Sequence, residues 1–145
     1  MKRFHLIFAV IASSLLLAGN ANAYKPEQLE KFEAHNNCNG CDLSGAGLTS
    51  NHSNAALNGA DLSNVYPVDP NVGINFNHAQ LPNANLTGAN LVAANLSFAD
   101  LTGALLFGTH LSRANMYGAT IDLTGIPVEE LCGAILPDGK KQICL

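Results

Sequence analysis

Positive charge is scarce in this chain. Seven of its 145 residues are Lys or Arg, against eleven Asp or Glu. Sequence-independent nucleic-acid binding needs a row of cations to meet phosphates, and within the repeated segment described below Arg113 stands alone. Nucleic acid is therefore excluded as a partner. Long apolar runs are nearly absent too. The longest, residues 4–18, is broken by His5, Ser13 and Ser14 and falls short of the roughly 20 residues that cross a bilayer. Metal-ligand spacing is also lacking: His35, His52, His78 and His110 form no H-x-x-x-H pattern. Each reads as a surface polar residue. No serine has a histidine partner at a defined spacing, so no catalytic constellation emerges. No cofactor or metal is expected, and the chain does not read as an enzyme.

The apolar run has its own meaning. Lys2 and Arg3 precede it and Ala21-Asn22-Ala23 follows it, the three-part order of a secretory signal peptide. Cleavage after Ala23 leaves a mature chain with five basic and eleven acidic side chains, a net charge of −6. Its destination is the periplasm or the exterior, with no membrane contact after cleavage. All four cysteines, Cys38, Cys41, Cys132 and Cys144, follow the leader. An even count in an exported chain favours disulfides.

What the chain has in abundance is a five-residue rhythm. From residue 74 the positions Phe76, Leu81, Leu86, Leu91, Leu96, Leu101, Leu106, Leu111, Met116, Ile121 and Ile126 carry an apolar side chain without a slip. A small residue sits two positions before most of them, and Asn or Asp often lies between. A period of five fits neither an α-helix nor a flat strand. It requires the chain to turn equally every five residues, and four such turns close a square. At four sides per coil the array makes nearly four coils, a stack about 19 Å long at about 4.8 Å per coil.

Ala84-Asn85-Leu86-Thr87-Gly88 and Ala89-Asn90-Leu91-Val92-Ala93 resemble the A-(D/N)-L-x-x motif of the pentapeptide-repeat family. The resemblance covers residues 41–128 with interruptions. It implies an all-β fold, a right-handed quadrilateral β-helix. An earlier block is out of phase. The step from Leu48 to Leu57 is nine residues, which places an irregular corner near 51–54. The step from Leu62 to Phe76 is fourteen, and residues 64–74, with Pro67 and Pro70, read as an inserted loop.

Solenoid ends need covers. Residues 24–40 are expected to form an N-terminal cap, with a short helix over 26–35 leading into the Cys38-Asn39-Gly40-Cys41 turn. After Ile126 the rhythm is expected to stop, and residues 129–145 read as a C-terminal cap. There Pro137-Asp138-Gly139 turns a hairpin that Cys132 and Cys144 are placed to staple. The sequence around Cys38 and Cys41 looks like the opening of exported pentapeptide-repeat arrays, which implies a structural disulfide. The alternative is a thiol–disulfide redox pair, which needs a helix N-terminus beside the first thiol.

Aromatics are 6% of the chain, and a few fall outside the inward slots. Phe98 and Tyr117 belong to one side, one coil apart, while Phe107 belongs to the opposite side. They are candidate contact residues, although packing beneath a loop or the tail would also account for them. Tyr66 and Asp69 could line a small-ligand site near the inserted loop. The family's known mimicry of DNA needs acidic sides and a cytoplasmic target, whereas here those slots are mainly Asn and the chain is exported. The best reading is an exported structural or interaction module that binds an unidentified protein or itself.

Overall fold

The computed structural model describes residues 24–144. The expected leader, residues 1–23, lies outside the described residues. The repeat is best understood by following the backbone donors of one unit. Around Leu96, the Ala94 N–H donates to Leu91 O (3.0 Å) and the Asn95 N–H to Ile74 O of the preceding coil (2.9 Å). The Leu96 N–H donates to Asn115 O of the following coil (2.7 Å), and the Phe98 N–H to Tyr117 O (2.9 Å). The fifth donor, Ser97 N–H, is met by the side chain of Asn95, whose Oδ1 lies 3.1 Å away. All five donors find partners, as buried backbone requires. The same side-chain bond recurs at Asp61, Asn85, Asp100 and Asn115. The middle slot thus selects Asn or Asp because only a short side-chain oxygen closes this turn.

The bend itself lies two residues beyond each centre. Asn83, Gly88, Ala93, Phe98 and Gly103 all have φ between 57° and 70°. Together with the bond back to the centre's carbonyl, such as Ala99 N–H to Leu96 O (3.1 Å), this is a β-turn with a left-handed third residue. The parallel bridges Asn75–Asn95, Asn95–Asn115 and Asn115–Ile135 share one spacing, four five-residue units, so four units make one coil. Leu43, Leu48, Leu57, Leu62, Leu81 and Leu86 point inward and are wholly buried.

The earlier coils differ in length. Asp42 pairs with Asp61, one residue short of that spacing, and Asp61 with Asn85, four residues beyond it. The expected irregular corner at 51–54 is corrected: that unit is regular and centred on His52. Its N–H donates to Asn75 O (2.8 Å), its carbonyl accepts from Ala55 (3.1 Å), and Asn54 takes the left-handed corner at φ 59°. The missing residue lies before it, between Leu48 and His52. The inserted loop is likewise shorter than 64–74. Asn64 holds a corner at φ 57° and Val65 is buried in a small-residue slot. Strand β2 (Tyr66–Pro67) pairs in parallel with β1 (Gly47–Leu48). Pro67 stands in a central slot, whose N–H would otherwise run forward to the next coil. Only residues 68–73 protrude, and Gly73 returns so close to the Ala93 carbonyl that a Cβ there would overlap it.

Helix α1 (Pro26–His35) lies over the first coil with Leu29 and Phe32 buried. Proline in its first turn suits a helix start, and Asn36 ends it in the left-handed region at φ 56°. At the other end the rhythm does not stop after Ile126. Leu131 and Leu136 fall on the next two steps, and the bonds Leu111 N–H to Glu130 O (3.1 Å) and Met116 N–H to Ile135 O (2.8 Å) preserve the register. In between, the register slips: a turn centred on Leu123, with Asp122 Oδ1 accepting the Thr124 N–H (2.9 Å), Ile126 N–H donating to Leu123 O (3.1 Å) and Gly125 at φ 83°, displaces Ile121 and Ile126 from the expected central slots, and a 3₁₀ turn, Val128–Leu131, restores the phase. Residues 140–142 then fold back antiparallel, bridging Ile135 to Lys141.

A direct test of the corner uses two exposed positions. Ala93→Gly relieves a left-handed alanine and should raise stability by about 1 kcal/mol. Gly108→Ala, where space is open but φ is 66°, should lower it by a similar amount. Thermal unfolding of both variants reads the difference.

Candidate functional site

One side of the coil carries a column of rings. His78 and Phe98 stack with centroids 5.0 Å apart and planes 11° from parallel, and Tyr117 meets Phe98 edge-on at 5.4 Å. Phe98 and Tyr117 are each half exposed. His78 is exposed as expected, but sequence reading did not connect it to the aromatics. The signal was present: His78 and Phe98 both lie two residues beyond a central slot, one full coil apart. Gly118 holds the equivalent place in the next coil, and a Cβ there would press on the Phe98 ring. Phe107 stands apart from this column, 85% exposed, beside Leu105, which is 61% exposed. Leu105 occupies an Asn slot, so no carboxamide closes its turn.

Tyr66 lies on yet another side, and its ring crosses Gly47 so closely that a Cβ there would be 3.1 Å from Cε2. The Asp69 carboxylate accepts bonds from the Asn71 N–H and side-chain amide (2.9 and 3.2 Å). Both bonds fall on Oδ1, which is engaged within its own turn.

The cysteines form two bridges, Cys38–Cys41 and Cys132–Cys144, with Cα atoms 5.3 and 4.8 Å apart. Cys38 fills a central slot and Cys41 the small slot of the next unit, and both are buried. They follow helix α1 and do not open one, and Cys38 Sγ lies 3.5 Å from the carbonyl oxygen of Gln28 in the first turn of α1, a neighbour that does not favour a thiolate. The tail bridge is more accessible: Cys132 is half-buried and Cys144 exposed, beside a groove lined by Val128, Glu129 and Ile143. Among the described residues no cluster of His, Cys, Asp or Glu could hold a metal ion, and no helix is long and apolar enough to cross a membrane.

The largest departure from the sequence reading is His52. Expected at the surface, it is 2% exposed because it occupies an inward slot that elsewhere holds Leu. Its ring stacks on Phe32 of α1 at 4.4 Å and approaches Phe76 at 5.9 Å. Glu33 Oε1 lies 3.5 Å from its Nε2, and Glu33 also accepts from the Thr49 hydroxyl and N–H (2.5 and 3.1 Å). Burial, the largest single influence on Glu33, pushes its pKa up. Bonds from His52 and Thr49 together outweigh burial and hold the carboxyl below its ordinary value. The nine-residue step from Leu48 to Leu57 was the available signal: it splits into four plus five only if His52 is a centre.

The pentapeptide-repeat family model matches residues 72–106 and 94–124, with eight copies of the repeat. Residues 72–124 are pentapeptide repeats of that family. Among solved structures it is similar to the pentapeptide repeat protein Rfr23 of the cyanobacterium Cyanothece 51142, at 26% identity over 64% of this chain and 82% of that one, with a TM-score of 0.43. It is also similar to HetL, a pentapeptide repeat protein involved in heterocyst differentiation regulation in Nostoc sp. strain PCC 7120, at 31% identity over 68% of this chain and 39% of that one, TM-score 0.32. A third is a pentapeptide repeat protein of the Arabidopsis thaliana thylakoid lumen, at 21% identity over 82% of this chain and 92% of that one, TM-score 0.27. Among curated proteins nothing matches.

In this pentapeptide-repeat chain both caps can be probed. Mild reductant should open Cys132–Cys144 well before Cys38–Cys41, because only the former offers an accessible sulfur. Alkylation followed by peptide mass mapping reads the order. Glu33, with its carboxyl held low, stabilises the docked helix above its ordinary pKa of 4.5, and that contribution fades as pH falls through the lowered value. Hydrogen-exchange protection of α1, corrected for intrinsic rates, should decline on acidification below about pH 4.5. In Glu33→Gln this acid-side decline should be absent.

Proposed function

We propose that this pentapeptide-repeat protein is an exported, non-enzymatic interaction module, wound as a right-handed quadrilateral β-helix, whose contact surface centres on Phe98. Export is supported by the leader-like N-terminus and by two disulfides with no free cysteine among the described residues, the economy of an oxidising compartment. The observation that carries the contact surface is the half-exposed aromatic column around Phe98. The φ of Phe98 is 58°, at a corner position that Gly88, Gly103, Gly108 and Gly118 fill with glycine and Asn83, Ala93 and Arg113 with other residues. A left-handed backbone costs an L-residue about 1–2 kcal/mol. Each aromatic pair contributes about 0.5–1.5 kcal/mol. These terms offset, so folding alone gives little reason to place a half-exposed phenylalanine there. A stacked column of rings left half exposed at little net gain to folding suits contact with another molecule, a protein partner or a second copy.

A photo-reactive residue at Tyr117 tests this. In the producing cell it should yield a discrete protein adduct or a covalent dimer, whereas the same residue at Thr102, on a neighbouring side, should not. Phe98→Gly should abolish the adduct while shifting the thermal midpoint by no more than about 5 °C. Absence of an adduct, or an adduct insensitive to Phe98→Gly, would count against the surface.

A further inference from the structure

His52 is the only inward-pointing ionisable group in the ladder of described residues, and its partners dictate how many protons it carries. The Asn36 amide nitrogen donates to Ser53 O (2.6 Å), which fixes the orientation of that amide. Asn36 Oδ1 is then the atom 3.1 Å from His52 Nδ1, so Nδ1 must donate. On the other edge, the Thr49 hydroxyl gives its one proton to Glu33 Oε2 (2.5 Å). It can therefore only accept from Nε2, 3.3 Å away. Glu33 Oε1, also beside Nε2, is an acceptor as well. Both ring nitrogens face acceptors, which only the imidazolium satisfies. The ring also lies between Phe32 and Phe76, and an aromatic face attracts a cation more than a neutral ring.

We propose that His52 is a protonation-operated latch for the N-terminal cap. While the ring carries both protons, it ties Glu33, Asn36 and Phe32 to Thr49 and the first coils. When the ring loses one proton, a nitrogen lone pair faces an oxygen. The available repair on the Nε2 edge is for the Thr49 hydroxyl to turn from Glu33 to the ring, which cuts a bond between α1 and the coil. Asn36 cannot compensate on the Nδ1 edge without giving up Ser53 O. Glu33, which α1 presents to the ring, is the one carboxylate facing it among the described contacts. Thr49, Asn36, Phe32 and Phe76 complete its surroundings and do not titrate. Release of α1 uncovers the outer edge of the first coil, where Gln28 caps the Asp42 N–H (2.6 Å) and Glu33 the Thr49 N–H (3.1 Å).

The sign follows from linkage. A cap that binds the extra proton is held at low pH and loosens as pH rises through the ring's titration. Ring nitrogen NMR shifts of the disulfide-intact protein, recorded from about pH 5 to about pH 9, should show His52 doubly protonated at the acid end. Between about pH 6.5, where an exposed imidazole titrates, and the ring's own midpoint, corrected amide protection in α1 should fall by up to about tenfold per pH unit, and it should level off beyond. Glu33→Gln should move the midpoint to lower pH. His52→Leu, which restores the residue type of neighbouring inward slots, should fold with α1 protection independent of pH over this range. A ring that is neutral while α1 is fully protected would overturn the latch. So would an unchanged pH dependence in His52→Leu, or a midpoint indifferent to Glu33→Gln.

Discussion

Everything in this molecule depends on one requirement: a backbone that turns every five residues must still pair all its buried N–H groups. Inter-coil bonds satisfy three donors of each unit and the turn a fourth, as the unit around Leu96 shows. The fifth is reachable only by a short side-chain oxygen. The motif is a consequence of that geometry. Alanine fits where adjacent sides crowd, Asn or Asp closes the turn, leucine fills the axis, and the fifth position must accept a left-handed backbone. The small core gains from apolar burial, but the backbone bonds make the coil the one shape in which that burial is possible.

The two ends solve the problem of an open ladder differently. At the N-terminus a helix lies across the first coil, and its side chains cap backbone groups that no preceding coil can reach. At the C-terminus the chain doubles back on its own last side, and the antiparallel bridge at Ile135 occupies the edge. Both ends carry a disulfide, yet the N-terminal one is sealed under the helix while the other lies near the surface. The polar cluster around His52 therefore sits at the buried end, where an unpaired charge would be most costly and where each of its bonds links cap to coil. The Phe98 column lies midway along the stack, far in sequence from either cap, so surface recognition and cap docking draw on separate residues.

Much of the architecture was legible because a five-residue period cannot be produced by a helix or a flat strand. The continuous centres from Phe76 to Met116, the cap helix with Leu29 and Phe32 inward, and the hairpin around Asp138-Gly139 are all local patterns. Misreadings arose where a residue type disguised its slot. His52 looked like a surface residue because histidine usually is one. Val65 and Pro67 looked like loop because proline breaks ladders, although Pro67 lacks only the bond that runs toward the next coil. Ile121 and Ile126 kept the five-residue rhythm while the Asp-capped turn itself moved to Leu123, and Leu131 and Leu136 were lost behind that slip.

By itself the sequence determined the repeat, its inward and outward slots and the presence of covers at both ends, because these follow from periodicity and from turn chemistry within a few residues. Only the tertiary structure decided which residues from different coils meet. The pairing offset differs from coil to coil, short at Asp42–Asp61, long at Asp61–Asn85 and regular from Asn75–Asn95 onward, and it sets which side chains stack. No local pattern encodes an offset that depends on where one residue is missing and four are added. That is why an inward histidine came to lie between Glu33 and Thr49.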